Sequence, residues 1–144
     1  MRFRRRAAGL TQRELAERSG VKQSLISAIE RGVRHPTDTV RRALDSALDL
    51  RPSVLLGAAR DQVLATIRGA GGRNVRVFGS VARGDDVPGS DVDLAVAFPP
   101  EADIVTLLAV EEELSELLTV PVDIISVGGP GRLPERVLAG AVPL

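Results

Sequence analysis

A Gly79-Ser80 pair directly follows the apolar run ending at Phe78, and ten residues later comes Asp91-Val92-Asp93. A further aspartate, Asp123, sits in the short run Val122-Asp123-Ile124-Ile125. A lone Asp-x-Asp is commonly just a polar strand end. The combination with Gly-Ser and a third strand-borne aspartate is far more specific. Carboxylates in this number suit a hard cation, because Mg²⁺ is held by carboxylates together with water and phosphate oxygens. The chain has no cysteine and one histidine, which excludes disulfides, thiolate catalysis and Cys-based zinc or iron–sulfur sites. Oxygen donors for Mg²⁺ or Mn²⁺ remain.

The surrounding pattern predicts what must hold these residues. Val75 and Val77 alternate with Arg76 and lead into Phe78, a strand ending at the Gly-Ser pair. Residues 81–84 are expected to form a short helix, and Asp85 to Ser90 a loop in which Asp85 and Asp86 are solvated. Val92, Leu94, Val96 and Phe98 share one face of the next strand, with Asp91, Asp93, Ala95 and Ala97 on the other. One strand thus delivers two carboxylates to one side. Ile104, Leu107, Leu108, Leu114 and Leu118 predict a long helix, with Glu111, Glu112, Glu113 and Glu116 as its wet face. Pro121–Ser126 reads as a third strand with Asp123 opposite Val122 and Ile124. A turn over Gly128–Gly131 and a short helix over Pro134–Ala139 complete the pattern.

Taken together, Val77–Gly84, Ser90–Val96 and Val122–Ile125 resemble the minimal nucleotidyltransferase family of the DNA polymerase β superfamily, over about residues 59–144. The resemblance implies a metal-dependent nucleotidyltransferase with Ser80, Asp91, Asp93 and Asp123 as catalytic residues. It further implies that Asp91 and Asp93 bind both metal ions, while Asp123 completes the one that activates the nucleophile. Gly79, Ser80 and Arg83 are the implied nucleotide-binding residues. Gly79 would admit the triphosphate close to the backbone, the Ser80 hydroxyl would meet phosphate oxygens, and Arg83 would add positive charge. ATP is the implied substrate.

The first part of the chain carries a different pattern. Thr11 followed by Glu14 is a capping box, and Gly20 ends the helix it starts. A second helix is expected from Gln23 to Arg31, stopped by Gly32. Thr37 or Asp38 caps a third, with Val40, Ala43, Leu44, Ala47 and Leu48 as its apolar stripe. A further helix over Ser53–Ile67 presents Leu56, Ala59, Val63 and Ile67. Thr11–Val21, Ser24–Ser27 and Ile29–Gly32 resemble the Cro and phage-repressor (XRE-type) helix-turn-helix family, over about residues 2–56. The resemblance implies that Gln23, Ser24 and Ser27 face base edges, while Gln12, Lys22 and Arg34 contact phosphates. Ala28 stands where relatives often carry a base-reading side chain. His35 is expected in a loop.

Charge agrees with two jobs. The formal net charge is zero, but residues 1–60 hold 13 Lys/Arg against 6 Asp/Glu, and residues 61–144 hold 6 against 13. A basic half has the footprint of nucleic-acid binding. The scarcity of aromatics, Phe3, Phe78 and Phe98, argues against base stacking on single strands. No apolar run approaches the roughly 20 residues of a membrane span, so no membrane association and a cytoplasmic location are expected. The expected fold is α plus α/β: an all-helical helix-turn-helix domain over 1–56, then a small mixed-sheet nucleotidyltransferase domain over 57–144. By resemblance the chain would be an antitoxin. It would bind double-stranded operator DNA as a homodimer, repress its own operon, and transfer AMP from ATP to a HEPN-type toxin. The alternatives are a nucleotidyltransferase toxin acting on tRNA, and a repressor whose second domain only binds a nucleotide or a partner.

Overall fold

The computed structural model describes residues 1–127 and 140–144. The turn expected over 128–131 and the helix over 134–139 lie outside the described residues. The chain divides into two compact units, Met1–Leu50 and Arg51–Leu144. The anticipated boundary at 56/57 falls inside a helix that belongs wholly to the second unit.

The first unit holds α1 (Arg2–Ala7), α2 (Gln12–Ser19), α3 (Gln23–Glu30) and α4 (Asp38–Ala47). The capping box forms: the Glu14 N–H donates to the Thr11 hydroxyl, and the Thr11 N–H donates to the Glu14 carboxylate at 2.7 Å. Gly20 then takes the left-handed conformation (φ 69°) that lets α3 turn back across α2. The Thr37 hydroxyl caps α4. Leu10, Leu15, Val21, Ile26, Leu44 and Leu48 form the core, with Ala16, Leu25 and Ile29 packed against it.

The short α1 buries nothing apolar of its own. Met1 and Ala8 at its ends pack in part against this core, and a charged pair adds to them. The Arg5 guanidinium grips both Glu30 oxygens, at 2.8 and 2.9 Å, and donates to the Leu10 carbonyl at 2.6 Å. The Gln12 amide donates to the same carboxylate at 2.9 Å. These side chains are 11% and 3% exposed, so the pair survives burial only because both partners are nearly saturated with hydrogen bonds. Burial pushes the Glu30 carboxyl up, but the bonds from Arg5 and Gln12 more than offset this and hold it below its ordinary value.

The second unit holds α5 (Pro52–Gly69), β1 (Arg73–Phe78), α6 (Gly79–Arg83), β2 (Val92–Ala97), α7 (Ile104–Leu118), β3 (Val122–Ser126) and β4 (Val142–Pro143). The sheet order is β3-β2-β1-β4. β1 is antiparallel to β2 and β4, whereas β2 and β3 are parallel. A parallel pair needs a crossover, and α7 supplies it. α5 and α7 pack together, burying Leu55, Leu56, Ala59, Val63 and Ile67 from one, and Val110, Leu114 and Leu118 from the other. Central β2 buries Val92, Leu94, Ala95 and Val96 completely.

Several expectations change here. Ile104 and Leu108 are 66% and 55% exposed, because the buried stripe of α7 begins only at Val110. Ala95, expected on the polar strand face, is fully buried. β4 was not anticipated; its two residues include a proline, which an edge strand tolerates. The solvated loop at 85–86 holds for Asp85 alone. Asp86 is 1% exposed and serves as a remote cap for α5. That helix starts with Pro52, and its flanking Arg51 offers no acceptor. The free Ser53 N–H donates instead to the Asp86 carboxylate at 2.8 Å, placing a negative charge at a helix N-terminus. Arg51 donates to the same carboxylate at 2.9 Å, to the Asp86 carbonyl at 2.7 Å and to the Gly84 carbonyl at 2.8 Å. The segment leading from α6 toward β2 is thereby tied to α5.

Arg5→Ala leaves the Glu30 charge buried and should cost about 3–5 kcal/mol. Denaturant unfolding of the full chain, followed on amide NMR signals of α2 and α3, measures this. Because the Glu30 carboxyl is depressed, its contribution is present above the unfolded value and lost as pH falls through the folded one. The parent's advantage should therefore shrink below pH of about 4; an advantage that persists there would assign the loss to packing.

Candidate active site and nucleic-acid interface

The backbone ladder builds the acidic site. Phe78, the last residue of β1, lies opposite Asp93 on β2, and Asp93 is in register with Asp123 on β3. Asp91 precedes β2 and shares the face of Asp93, two residues on. Carboxylate oxygens of Asp91, Asp93 and Asp123 all lie within 4.8 Å of one another. Asp91 and Asp123 are exposed and Asp93 is half-buried. Three residues expected to act together are thus brought together.

Gly79 closes this row. Its φ is +68°, and a Cβ placed on it would collide with the Asp93 carboxylate. Glycine is needed here for the turn and for the space that Asp93 occupies. Ser80 is half-buried in the first turn of α6, and its carbonyl accepts from the Asp85 N–H at 3.1 Å. Arg83, exposed in the last turn, donates to the Asp85 carboxylate at 3.1 Å.

Electrostatics show what the site lacks. Burial pushes the Asp93 carboxyl above its ordinary value, and the neighbouring charges of Asp91 and Asp123 push it further, against a smaller opposing pull from Arg83. Among the described residues, three hard oxygen donors converge against only a small opposing pull from Arg83, which is the donor set a divalent cation fits. Such a set can hold cations and bring phosphate oxygens to them.

In the first unit, α3 leaves Gln23 and Ser24 exposed and Ser27 half-buried, with Lys22 at its start and Arg34 beyond its end also exposed. Gln12 is only half-buried, but its polar atoms are engaged: its amide is on Glu30, and its carbonyl oxygen accepts from the Gln23 amide at 3.5 Å. It ties the start of α2 to both ends of α3. His35 is exposed in the loop before α4.

Sequence reasoning missed Arg51 and Asp86, which tie down the segment between the two motifs. A signal was present: a helix opening on Arg-Pro has no local side-chain acceptor for its first N–H groups, so an acceptor must come from elsewhere. Of the expected wet face of α7, Glu113 is exposed but Glu111 is half-buried and engaged. Glu111 accepts from the Ile124 N–H at 2.8 Å and Glu113 from the Thr66 hydroxyl at 3.0 Å. Ser115, also overlooked, accepts from the Val122 N–H at 3.0 Å.

The raised Asp93 carboxyl fixes a sign. Its charged form is disfavoured by the fold, so metal-free stability falls as pH rises from the unfolded carboxylate value through the folded one. Asp93→Asn should therefore melt higher than the parent at pH 7 in chelator, and should gain less on adding Mn²⁺. Equal gains with Mn²⁺ in both proteins would remove Asp93 from the metal site.

Two family models match the chain, "Helix-turn-helix" over residues 1–55 and "Nucleotidyltransferase domain" over residues 62–137. An uncharacterised HTH-type transcriptional regulator of Sinorhizobium fredii is 45% identical over 65 residues, covering 42% of this chain and 33% of that protein. A provisionally named protein adenylyltransferase of Methanocaldococcus jannaschii is 34% identical over 56 residues, covering 39% of this chain and 57% of that protein. The chain spans less than two thirds of the length of these curated relatives. A solved structure, provisionally described as a minimal nucleotidyltransferase, is 41% identical with a TM-score of 0.56, covering 64% of this chain and 95% of that one. Among the described residues, no helix is long and apolar enough to cross a membrane. The chain belongs to the nucleotidyltransferase domain family and carries that domain behind an XRE-type helix-turn-helix.

Proposed function

We propose that this protein is a DNA-binding antitoxin that transfers AMP from ATP to a hydroxyl of a partner toxin of the HEPN type, and that it represses its own operon. The observation that carries the catalytic half is the convergence of Asp91, Asp93 and Asp123 beside Gly79 in a chain of the nucleotidyltransferase family. The name of the Methanocaldococcus relative, a protein adenylyltransferase, supports AMP as the group transferred and a protein as the acceptor. The helix-turn-helix on the same chain supports operator binding.

In this reading, Asp91 and Asp93 hold the divalent cations, Mg²⁺ or Mn²⁺, and Asp123 completes the site on the nucleophile side. Bound cations neutralise the charge that develops on the attacking and leaving oxygens. Gly79 leaves the backbone open to the triphosphate, the Ser80 hydroxyl donates to a phosphate oxygen, and Arg83 turns from Asp85 to the polyphosphate. The acceptor hydroxyl oxygen forms a bond to the α-phosphorus, the bond to pyrophosphate breaks, and the hydroxyl proton passes to solvent. Gln23, Ser24 and Ser27 read bases in the major groove, while Lys22 and Arg34 meet phosphates. Gln12 meets the backbone from the start of α2 and braces Gln23.

Labelled ATP with the purified chain and its co-expressed neighbour protein tests the chemistry. Metal-dependent label in the neighbour is expected, with a loss of at least about 100-fold in the Asp91→Ala/Asp93→Ala double variant. Transfer by that variant at the parent rate overturns the catalytic assignment. If the variant does not transfer and yet neutralises the toxin, neutralisation proceeds by binding.

The DNA half predicts a dimer on a near-palindromic site with half-sites roughly one helical turn apart, and affinity that falls steeply with salt. Gln23→Ala should relax base preference at one position by about 1–3 kcal/mol, whereas Arg34→Ala should weaken all sequences alike. Mobility-shift titrations on operator and random DNA read both; equal affinity of the parent for the two would overturn operator recognition.

A further inference from the structure

Among the described residues, β3 is an edge strand, paired only with β2. In such a strand alternate N–H groups point away from the partner and need other acceptors. On the inner side, the Val127 N–H donates to the Val96 carbonyl at 2.8 Å. The N–H groups of the even-numbered residues point away from β2. Two of their N–H groups are met by α7: the Val122 N–H donates to the Ser115 hydroxyl at 3.0 Å, and the Ile124 N–H donates to the Glu111 carboxylate at 2.8 Å. Glu111 and Ser115 are four residues apart, one helical turn, and so lie on one face of α7. The strand residues they hold are two apart and flank Asp123.

We propose that Glu111 and Ser115 are positioning residues for Asp123, holding the outer edge of β3 so that this carboxylate stays level with Asp93. The argument is one of load. Asp123 is exposed and in register with Asp93, within reach of a like charge on Asp91 as well. Repulsion among the three acts to push the outermost strand away, because β3 has a ladder on one side only. The two side chains from α7 supply the missing second side at the two residues flanking Asp123. Glu111 acts here as an acceptor and not through its charge, so an amide at that position does the same work. The proposal rests on the reading of Asp91, Asp93 and Asp123 as the metal ligands.

The test uses the full chain and Mn²⁺ alone, with binding read by electron paramagnetic resonance and Ile124 amide exchange read by NMR. Glu111→Ala is expected to weaken Mn²⁺ binding about tenfold or more, the usual consequence of losing a group that orients a ligand. It should also speed exchange at Ile124. Glu111→Gln keeps the acceptor and should restore both to within about twofold. Ser115→Ala, which improves helix propensity, should weaken binding in the same direction and speed exchange at Val122. A Glu111→Ala protein that binds Mn²⁺ as the parent does overturns the assignment, and so does a Glu111→Gln protein that behaves like Glu111→Ala. If Glu111→Ala fails to fold, Ser115→Ala and Glu111→Gln decide it. A parent that binds no Mn²⁺ overturns this assignment and the metal-ligand reading together. A parent that binds, beside unaffected variants, overturns this assignment alone.

Discussion

The pairing of β2 with a neighbour on each side is the constraint on which the acidic site depends. The antiparallel ladder sets Phe78 opposite Asp93, and the parallel ladder sets Asp123 level with it. The row so formed holds carboxylates closer than they would choose in water. Among the described residues, the Arg83 charge opposes that repulsion only in part. The offset comes from below: Val92, Leu94 and Val96 are fully buried, as are Leu55, Val63, Leu114 and Leu118 on the helices. Burying a side chain of this kind stabilises by about 1.5–3 kcal/mol, so a handful outweighs a cluster of like charges at the surface end of the strand.

The same logic explains the small polar devices around the site. Each satisfies a backbone group that regular structure leaves over. Asp86 accepts from the first free N–H of α5, and Glu111 and Ser115 accept from the outer edge of β3. Because these acceptors come from distant segments, satisfying the backbone also ties elements together. The segment between the Gly-Ser and Asp-x-Asp motifs is anchored in this way at Arg51.

The helix-turn-helix unit solves a different problem. Its first helix buries no residue fully, and a buried, bidentate Arg5–Glu30 pair fastens it to α3 beside the partial packing of Met1 and Ala8. From the sequence, Arg5 is one more member of the basic run Arg2, Arg4, Arg5 and Arg6. In the fold it is internal: it joins α1 to the end of α3 at Glu30, and Gln12 bridges Glu30 to Gln23 at the start of the same helix.

Local patterns settled much of this protein in advance. The capping box at Thr11, the left-handed turn at Gly20, the period-two strand at Val92–Phe98 and the Gly-Ser and Asp-x-Asp spacing depend on neighbours within a few residues. Such neighbours are visible in a sequence. The sheet order, the level placement of Asp123 with Asp93, the exposure of Ile104 and Leu108, and the partners of Arg5, Asp86, Glu111 and Ser115 were decided only by tertiary structure. Each of these pairings joins residues far apart in the chain or depends on which side of a helix meets the sheet. A carboxylate in a sequence looks the same whether it faces water, a metal ion or a stray backbone N–H. Which of the three it meets is settled by the burial of other residues, and that is a property of the whole fold.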